Sequence, residues 1–251
     1  MCQGQEDYEV KTKELASWIA ESRRIVFFGG AGVSTESGIP DFRSADGLYN
    51  ETYAYPPEQI VSHSFFVSKP EVFFKFYKER MLYPDAEPNA AHIALAELER
   101  RGKLSAVITQ NIDGLHEKAG SKKVLALHGT VLKNHCQRCG KFYSLREMLT
   151  RPGAVPHCDC GGVIKPDVVL YEEALDSAVL NEAARCMAEA DLLIVGGTSL
   201  AVYPAAGLLR YFDGRHLAVI NRSATPADRE ADLVIQAPIG EVLSKAMKNL
   251  T

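Results

Sequence analysis

Short apolar runs punctuate the chain and stop abruptly on glycine or small polar residues. Ile25-Val26-Phe27-Phe28 ends at Gly29-Gly30, and Ala106-Val107-Ile108-Thr109 at Gln110-Asn111. Val124-Leu125-Ala126-Leu127 ends at His128-Gly129, and Leu192-Leu193-Ile194-Val195 at Gly196-Gly197. Leu217-Ala218-Val219-Ile220 ends at Asn221-Arg222, and Leu233-Val234-Ile235 is a sixth run. Runs this short and unbroken predict parallel strands covered on both faces. Between them the apolar spacing turns helical: 9–23 (Val10, Leu15, Trp18, Ile19), 89–101 (Ala90, Ile93, Ala94, Leu98), 178–190, 204–212 and 239–249. Strands alternating with helices predict an α/β fold with a doubly wound parallel sheet. In such sheets the ligand crevice lies outside the carboxyl ends of the strands. Those ends carry Gly29-Gly30-Ala31-Gly32, Gln110-Asn111-Ile112-Asp113, His128-Gly129, Gly197-Thr198-Ser199 and Asn221, which are therefore expected to converge.

Two stretches break the alternation. Residues 44–82 are rich in aromatics, and 132–165 hold two close cysteine pairs. Together they read as a smaller module inserted into the main domain. The 251 residues are enough to bury a sizeable core. With 28 Lys+Arg against 32 Asp+Glu, the net charge of −4 gives no footprint for nonspecific nucleic-acid binding. No run of eighteen apolar residues predicts a membrane span, and residues 1–15 lack the apolar core of a secretory signal. A cytoplasmic protein is expected. No motif sets an oligomeric state, and a monomer is expected.

Cysteine spacing agrees with a reducing compartment. Cys136-x-x-Cys139, then Cys158-x-Cys160, read as four thiolates around one tetrahedral zinc rather than as disulfides. Glycines follow both pairs (Gly140, Gly161-Gly162), as metal knuckles need. A closed four-sulfur site has no open position for water, so the zinc is expected to be structural. The second pair is shorter than the common Cys-x-x-Cys, which leaves His135 or His157 as possible substitutes.

The first glycine loop, Gly30-x-Gly32 after a strand, suits the approach of a pyrophosphate to backbone N–H groups. Yet Thr35 stands at the third fingerprint position, and no acidic residue ends a second strand about twenty residues on. Both departures count against an ordinary hydride-transfer dehydrogenase. The loop continues as Gly38-Ile39-Pro40-Asp41-Phe42-Arg43. From Gly30-Ala31-Gly32-Val33-Ser34 to Arg43 the segment resembles the signature of sirtuins, the NAD-dependent protein lysine deacylases. Gln110-Asn111-Ile112-Asp113-Gly114, Leu127-His128-Gly129, Gly197-Thr198-Ser199-Leu200 and the cysteine pairs are similar to further motifs of that family, over residues 25–243.

The resemblance implies a Rossmann-like NAD-binding domain (1–43, 83–131 and 166–251) and a small helical, zinc-binding module (44–82 and 132–165) of a minimal prokaryotic type. It implies nicotinamide bound among Ala31, Ile39, Phe42, Asn111, Ile112 and Asp113. Phosphate and ribose contacts are implied for Gly30, Gly32, Thr35, Arg43, Gln110, Gly197, Thr198, Ser199 and Asn221, and a cofactor contact for Ile239. His128 is implied as the general base that takes a proton from a ribose hydroxyl, with Asn111 and Asp113 beside it. An imidazole suits that task near neutral pH. Val168 and Val169 are implied to flank the acyl-lysine of a protein substrate adding to a strand edge. The reaction implied moves the acyl group from lysine to ADP-ribose and releases nicotinamide. Tyr77 and Arg80 resemble the pair that binds acidic acyl groups in some relatives, so a succinyl or malonyl preference is one alternative. The others are a protein ADP-ribosyltransferase and a non-catalytic NAD- or peptide-binding module.

Overall fold

The computed structural model describes residues 3–42, 47 and 53–250. Helix α1 (Gln3–Glu21) leads into strand β1 (Ile25–Gly29). A helical segment follows: α2 (Pro57–Ile60), α3 (His63–Ser68) and α4 (Pro70–Phe76), the last widening into a π-type turn over Tyr77–Met81. Then come α5 (Ala90–Arg100), β2 (Leu104–Thr109), α6 (Leu115–Ala119) and β3 (Val124–Ala126). Strands β4 (Gly129–Cys136) and β5 (Phe142–Ser144), helix α7 (Leu145–Leu149) and strand β6 (Ile164–Val168) form the next group. The chain closes with α8 (Ser177–Glu189), β7 (Leu192–Gly196), β8 (His216–Ile220), β9 (Leu233–Ile235) and α9 (Ile239–Lys248).

Six strands make one parallel sheet in the order β3-β2-β1-β7-β8-β9. They are the six apolar runs. Alternation within each run assigns its side chains to two cores. Ile25, Phe27, Leu192 and Ile194 pack with α1, α5 and α9, through Leu15, Ile19, Leu95, Leu98, Val242 and Leu243. Val26, Phe28, Leu193 and Val195 pack on the opposite face with Ala183 and Met187 of α8 and with Leu208. A strand buried on both faces has no polar side to show, so period two is invisible in its sequence.

A second, antiparallel sheet has the order β5-β4-β6. With α2, α3 and α4 it encloses a third core, dense in edge-on aromatic pairs such as Phe66–Phe73 and Phe73–Phe74. The segment expected as a helix over 204–212 is a 3₁₀ helix, Ala205–Tyr211. It is short and holds Gly207, a poor α-helix former, at its centre. The first helix runs from Gln3 to Glu21 rather than over 9–23. No helix among the described residues is long and apolar enough to cross a membrane.

Candidate active site and metal centre

The loops after β1 and β7 touch through backbone. The Gly32 N–H donates to the Gly197 carbonyl at 2.8 Å, and the Gly30 N–H to the Gly196 carbonyl at 3.4 Å. Gly197 has φ +59°, and a Cβ there would stand 2.3 Å from the Val33 backbone nitrogen. Only glycine permits this approach.

Above these loops lies a cleft of about 1140 Å³, larger than the roughly 300–1,000 Å³ of ordinary small-molecule sites. Gly30, Ala31, Gly32, Thr35, Ile39 and Phe42 line it after β1, and Gln110, Asn111, Ile112 and Asp113 after β2. His128 lines it between β3 and β4, Val168 and Val169 at the end of β6, and Gly197, Thr198 and Ser199 after β7. Asn221 after β8 and Ile239 at the start of α9 complete that set. Arg80 lines the cleft as well. Its expected companion Tyr77 does not: it is fully buried in the aromatic core, its hydroxyl without a partner among the described residues. The two sit in the π-type turn, where an i→i+5 pattern takes residues three apart off a shared face. Arg43 lies outside the described residues.

Within the cleft, hydrogen bonds order the polar groups. Asn111 Nδ2 donates to Ser34 Oγ at 3.0 Å, and Ser34 Oγ donates to Asp113 Oδ2 at 2.7 Å. Asp113 Oδ1 accepts the Leu115 N–H at 2.9 Å. The carboxylate is thereby fixed at both oxygens. Gln110 Nε2 donates to Thr198 Oγ1 at 3.0 Å, tying the β2 tip to the β7 tip.

His128 is half-buried, with Nδ1 3.1 Å from the Gln110 carbonyl. A carbonyl only accepts, so this bond places the ring proton on Nδ1 and leaves the Nε2 lone pair available. Burial lowers the His128 pKa below the ordinary imidazole value, against the pull of that carbonyl toward the charged form. The residue is therefore a neutral base near pH 7. Its own carbonyl accepts the Val169 N–H at 2.9 Å, so base and expected substrate strand share a backbone bond. That strand is braced: buried Lys165 donates to the Val168 carbonyl at 2.9 Å and to Glu173 Oε2 at 3.1 Å.

A pair of histidines, His92 and His116, is buried behind the glycine loop. His92 Nδ1 accepts the Asn89 N–H at 3.2 Å, and Asn89 Nδ2 donates to the Val33 carbonyl at 2.8 Å. The His92 and His116 rings meet edge-on at 4.7 Å. Burial lowers the His92 pKa to about 4, although Asp113 opposes this. Burial, then proximity to His92, lowers that of His116 to about 3.

Around the antiparallel sheet, Cys136, Cys139, Cys158 and Cys160 bring their sulfurs within 4.8 Å of one another. Two of the separations are 3.5 Å (Cys136–Cys160) and 3.6 Å (Cys139–Cys158). A tetrahedron of sulfurs at the usual Zn–S length of about 2.3 Å has edges of about 3.8 Å, so the donor set fits zinc. The Cys160 N–H and the Tyr143 hydroxyl lower the Cys158 thiol to about 6. Cys139, despite the Lys141 N–H that favours its thiolate, is pushed up to about 12 by the neighbouring sulfurs. Four thiolates this close require a cation between them. His135 is instead bonded to Asp167 at 2.7 Å, and His157 to the Val155 carbonyl at 2.9 Å.

The profile of the Sir2 family matches residues 30–204. The chain belongs to the Sir2 family. It is 57% identical over 236 residues to an NAD-dependent protein deacetylase of Clostridium acetobutylicum, covering 93% of this chain and 96% of that one. A protein of the same description from Clostridium perfringens is 58% identical over 241 residues, covering 94% and 98%. Among solved structures, a Sir2 with p53 peptide and NAD⁺ superposes with a TM-score of 0.83 at 41% identity, covering 94% and 96%. A Sir2Tm bound to a propionylated peptide gives 0.84 at 40%, covering 95% and 99%.

For this Sir2 chain, sequence reasoning left out Ser34, which is 1% exposed and bridges Asn111 to Asp113. It sits inside the quoted glycine loop, yet a serine beside a turn carries no signal of what lies 77 residues away.

Proposed function

We propose that this chain is an NAD-dependent protein lysine deacylase that transfers the acyl group to ADP-ribose and releases nicotinamide. The observation that carries the reading is one cleft holding both the Asn111–Ser34–Asp113 chain and a neutral His128 with Nε2 open. When bound, NAD⁺ supplies an activated bond between nicotinamide and ribose that the acyl oxygen of a modified lysine can displace. Asp113, fixed by Ser34 and Leu115, accepts from the carboxamide of nicotinamide. Asn111 holds the polar groups beside it, and Ala31, Ile39, Ile112 and Phe42 keep bulk water from the reacting carbon. Thr35, Gly197, Thr198 and Ser199 hold phosphate and ribose, Asn221 the far ribose, and Arg43 and Ile239 complete the contacts. His128 Nε2 takes a proton from a ribose hydroxyl and Nδ1–H stays on the Gln110 carbonyl, which steadies the ring as it gains charge. Val168 and Val169 flank the acyl-lysine stem.

The proposed zinc, held by the four cysteines, has no free position and acts on structure alone. Residues 44–82 and 132–165 are proposed as its module, and the remainder as the dinucleotide domain. Paired thiols held for metal support the cytoplasm as the working compartment.

Acetyl and other short neutral acyl groups are the substrates this reading favours. A preference for acidic acyl groups rests on Arg80 alone, because Tyr77 is outside the cleft lining. The test is a panel of peptides differing only in acyl group, assayed for nicotinamide and for acyl-ADP-ribose by mass. Acetyl peptide is expected to give both, and His128→Ala to lose both while still binding NAD⁺. Faster turnover of succinyl peptide, abolished in Arg80→Met, would favour the acidic alternative. ADP-ribosylated protein without acyl-ADP-ribose would overturn the deacylase reading.

A further inference from the structure

Ser34 joins two single turns of 3₁₀ helix, Ala31–Val33 and Thr35–Ser37, closing the first and opening the second. Turns this short have poor hydrogen-bond geometry and hold little conformation by themselves. The Ser34 carbonyl accepts the Ser37 and Ile39 N–H groups at 2.9 and 3.2 Å. The Val33 carbonyl accepts from neither turn among the described residues. Asn89, 56 residues further on, serves it instead. Its Nδ2 donates to the Val33 carbonyl at 2.8 Å and to Ser37 Oγ at 3.0 Å. One amide group therefore spans the joint, holding the residue before Ser34 and the last residue of the turn after it. Asn89 itself does not line the cleft.

Asn89 is fixed from two sides. Its Oδ1 accepts the Ala91 N–H at 2.9 Å and its own N–H reaches His92 Nδ1 at 3.2 Å, so it caps α5. The residues before it are tied to α6, where Lys118 Nζ donates to the Ala86 carbonyl at 2.9 Å and to Glu87 Oε1 at 2.8 Å. Helix α6 starts at Leu115, whose N–H rests on Asp113. The loops after β1 and β2 are thus registered against each other through the segment 86–92. We propose that Asn89 is a positioning residue for the nicotinamide end of the cleft: by holding both flanks of Ser34 it sets Ser34 Oγ between Asn111 and Asp113. This rests on the proposed reading of the cleft, which places nicotinamide beside those two residues. Without the clamp the two turns pivot at Ser34, and Asp113 loses a donor that fixes its carboxylate.

The two duties of Asn89 lie on different atoms, so substitution separates them. Capping α5 needs only an oxygen, which Asn89→Asp and Asn89→Ser both keep. Neither can hold Val33 and Ser37 as the amide does, because an ionised carboxylate only accepts and a hydroxyl has one proton on a shorter side chain. The experiment titrates nicotinamide onto the protein loaded with ADP-ribose, followed by ligand-detected NMR, so that no turnover is needed. Wild type and both variants are compared below their melting temperatures. The Kd for nicotinamide is expected to rise about fivefold in the variants, the scale of one neutral hydrogen bond, while that for ADP-ribose stays within about twofold. In turnover, kcat/KM for NAD⁺ should fall by a similar factor with KM for acetyl peptide unchanged. Unchanged nicotinamide affinity in either folded variant shows that Asn89 only caps α5 and overturns the proposal. Equal losses for nicotinamide and ADP-ribose overturn it too, since they mark damage to the whole loop. A wild type that binds ADP-ribose but no nicotinamide would remove the reading of the cleft, and the proposal with it.

Discussion

His128 and the His92–His116 pair are the same residue type put to opposite uses by their surroundings. One has a single bond at Nδ1 and an open nitrogen in the cleft. In the other pair, His92 Nε2 and both His116 nitrogens are buried with no partner among the described residues. Those rings fold as neutral groups, and their pKa values, about 4 and about 3, lie below the roughly 6.5 of an unfolded histidine. The sign of the pH effect follows. Above about 6.5 neither state binds the protons, so the full stability is present. As pH falls from there toward the folded values, the unfolded chain takes up protons the native state refuses, and stability is lost. Each such histidine lowers the unfolding free energy by about 1.4 kcal/mol between pH 7.5 and 5.5. Replacing His116 by Phe keeps an aromatic of similar bulk and removes the titration. Urea unfolding at both pH values should therefore show His116→Phe losing about 1.4 kcal/mol less than the wild type. Equal losses would mean that His116 is protonated in the fold.

At the scale of elements, the parallel sheet was legible because its central strands, β1 and β7, are buried on both faces, and unbroken apolar runs have few other uses. Convergence of the strand tips followed from topology, without any contact being visible in the sequence. What was hidden depended on backbone detail. The π-type turn separated Tyr77 from Arg80, and the 3₁₀ geometry of Ala205–Tyr211 was masked by helix-like spacing. Ser34 was hidden for a different reason: its partners come from another strand. The junction of the two sheets shows how tightly such detail is set. Gly129 opens β4 with φ +76°, and a Cβ there would stand 1.8 Å from the Asp167 carbonyl oxygen. Gly102 has a similar φ of +71° but nothing within 4 Å. Alanine at Gly102 should cost only the left-handed conformation, about 1 kcal/mol, and leave turnover intact. Alanine at Gly129 must also push β6 away and shift its neighbour His128. It should lower the unfolding free energy by about 3 kcal/mol or more and reduce turnover steeply. Thermal melts and nicotinamide release on both variants check this, and equal behaviour would show that the junction yields freely.

Across the whole molecule, the proposed dinucleotide loops and the proposed substrate strand are supported by different cores. The glycine loops stand on β1 and β7, whose side chains fill the two cores flanking the parallel sheet. Val168 and Leu170, by contrast, share the third core with Cys136, Cys158, Tyr143 and the aromatics of α3 and α4. Two of the four sulfurs are thus part of the packing that holds the strand beside the expected acyl-lysine. Without a cation, the crowded thiols must protonate or separate, and the turns at Cys136–Cys139 and Cys158–Cys160 lose their anchor. Beyond the metal the module has three short antiparallel strands and helices of four to seven residues, too little regular structure to hold itself tightly. Stripping the metal with a chelator should therefore loosen this module while the parallel sheet persists. Amide exchange is expected to rise in β4, β5 and β6 and to stay low in β1 and β7. ADP-ribose should still bind with an affinity within a few-fold of the intact protein, whereas peptide-dependent nicotinamide release should be lost and return when zinc is restored. Loss of nucleotide binding in step with activity would instead mean that the two cores form one cooperative unit, with the metal supporting the dinucleotide cleft as much as the substrate strand.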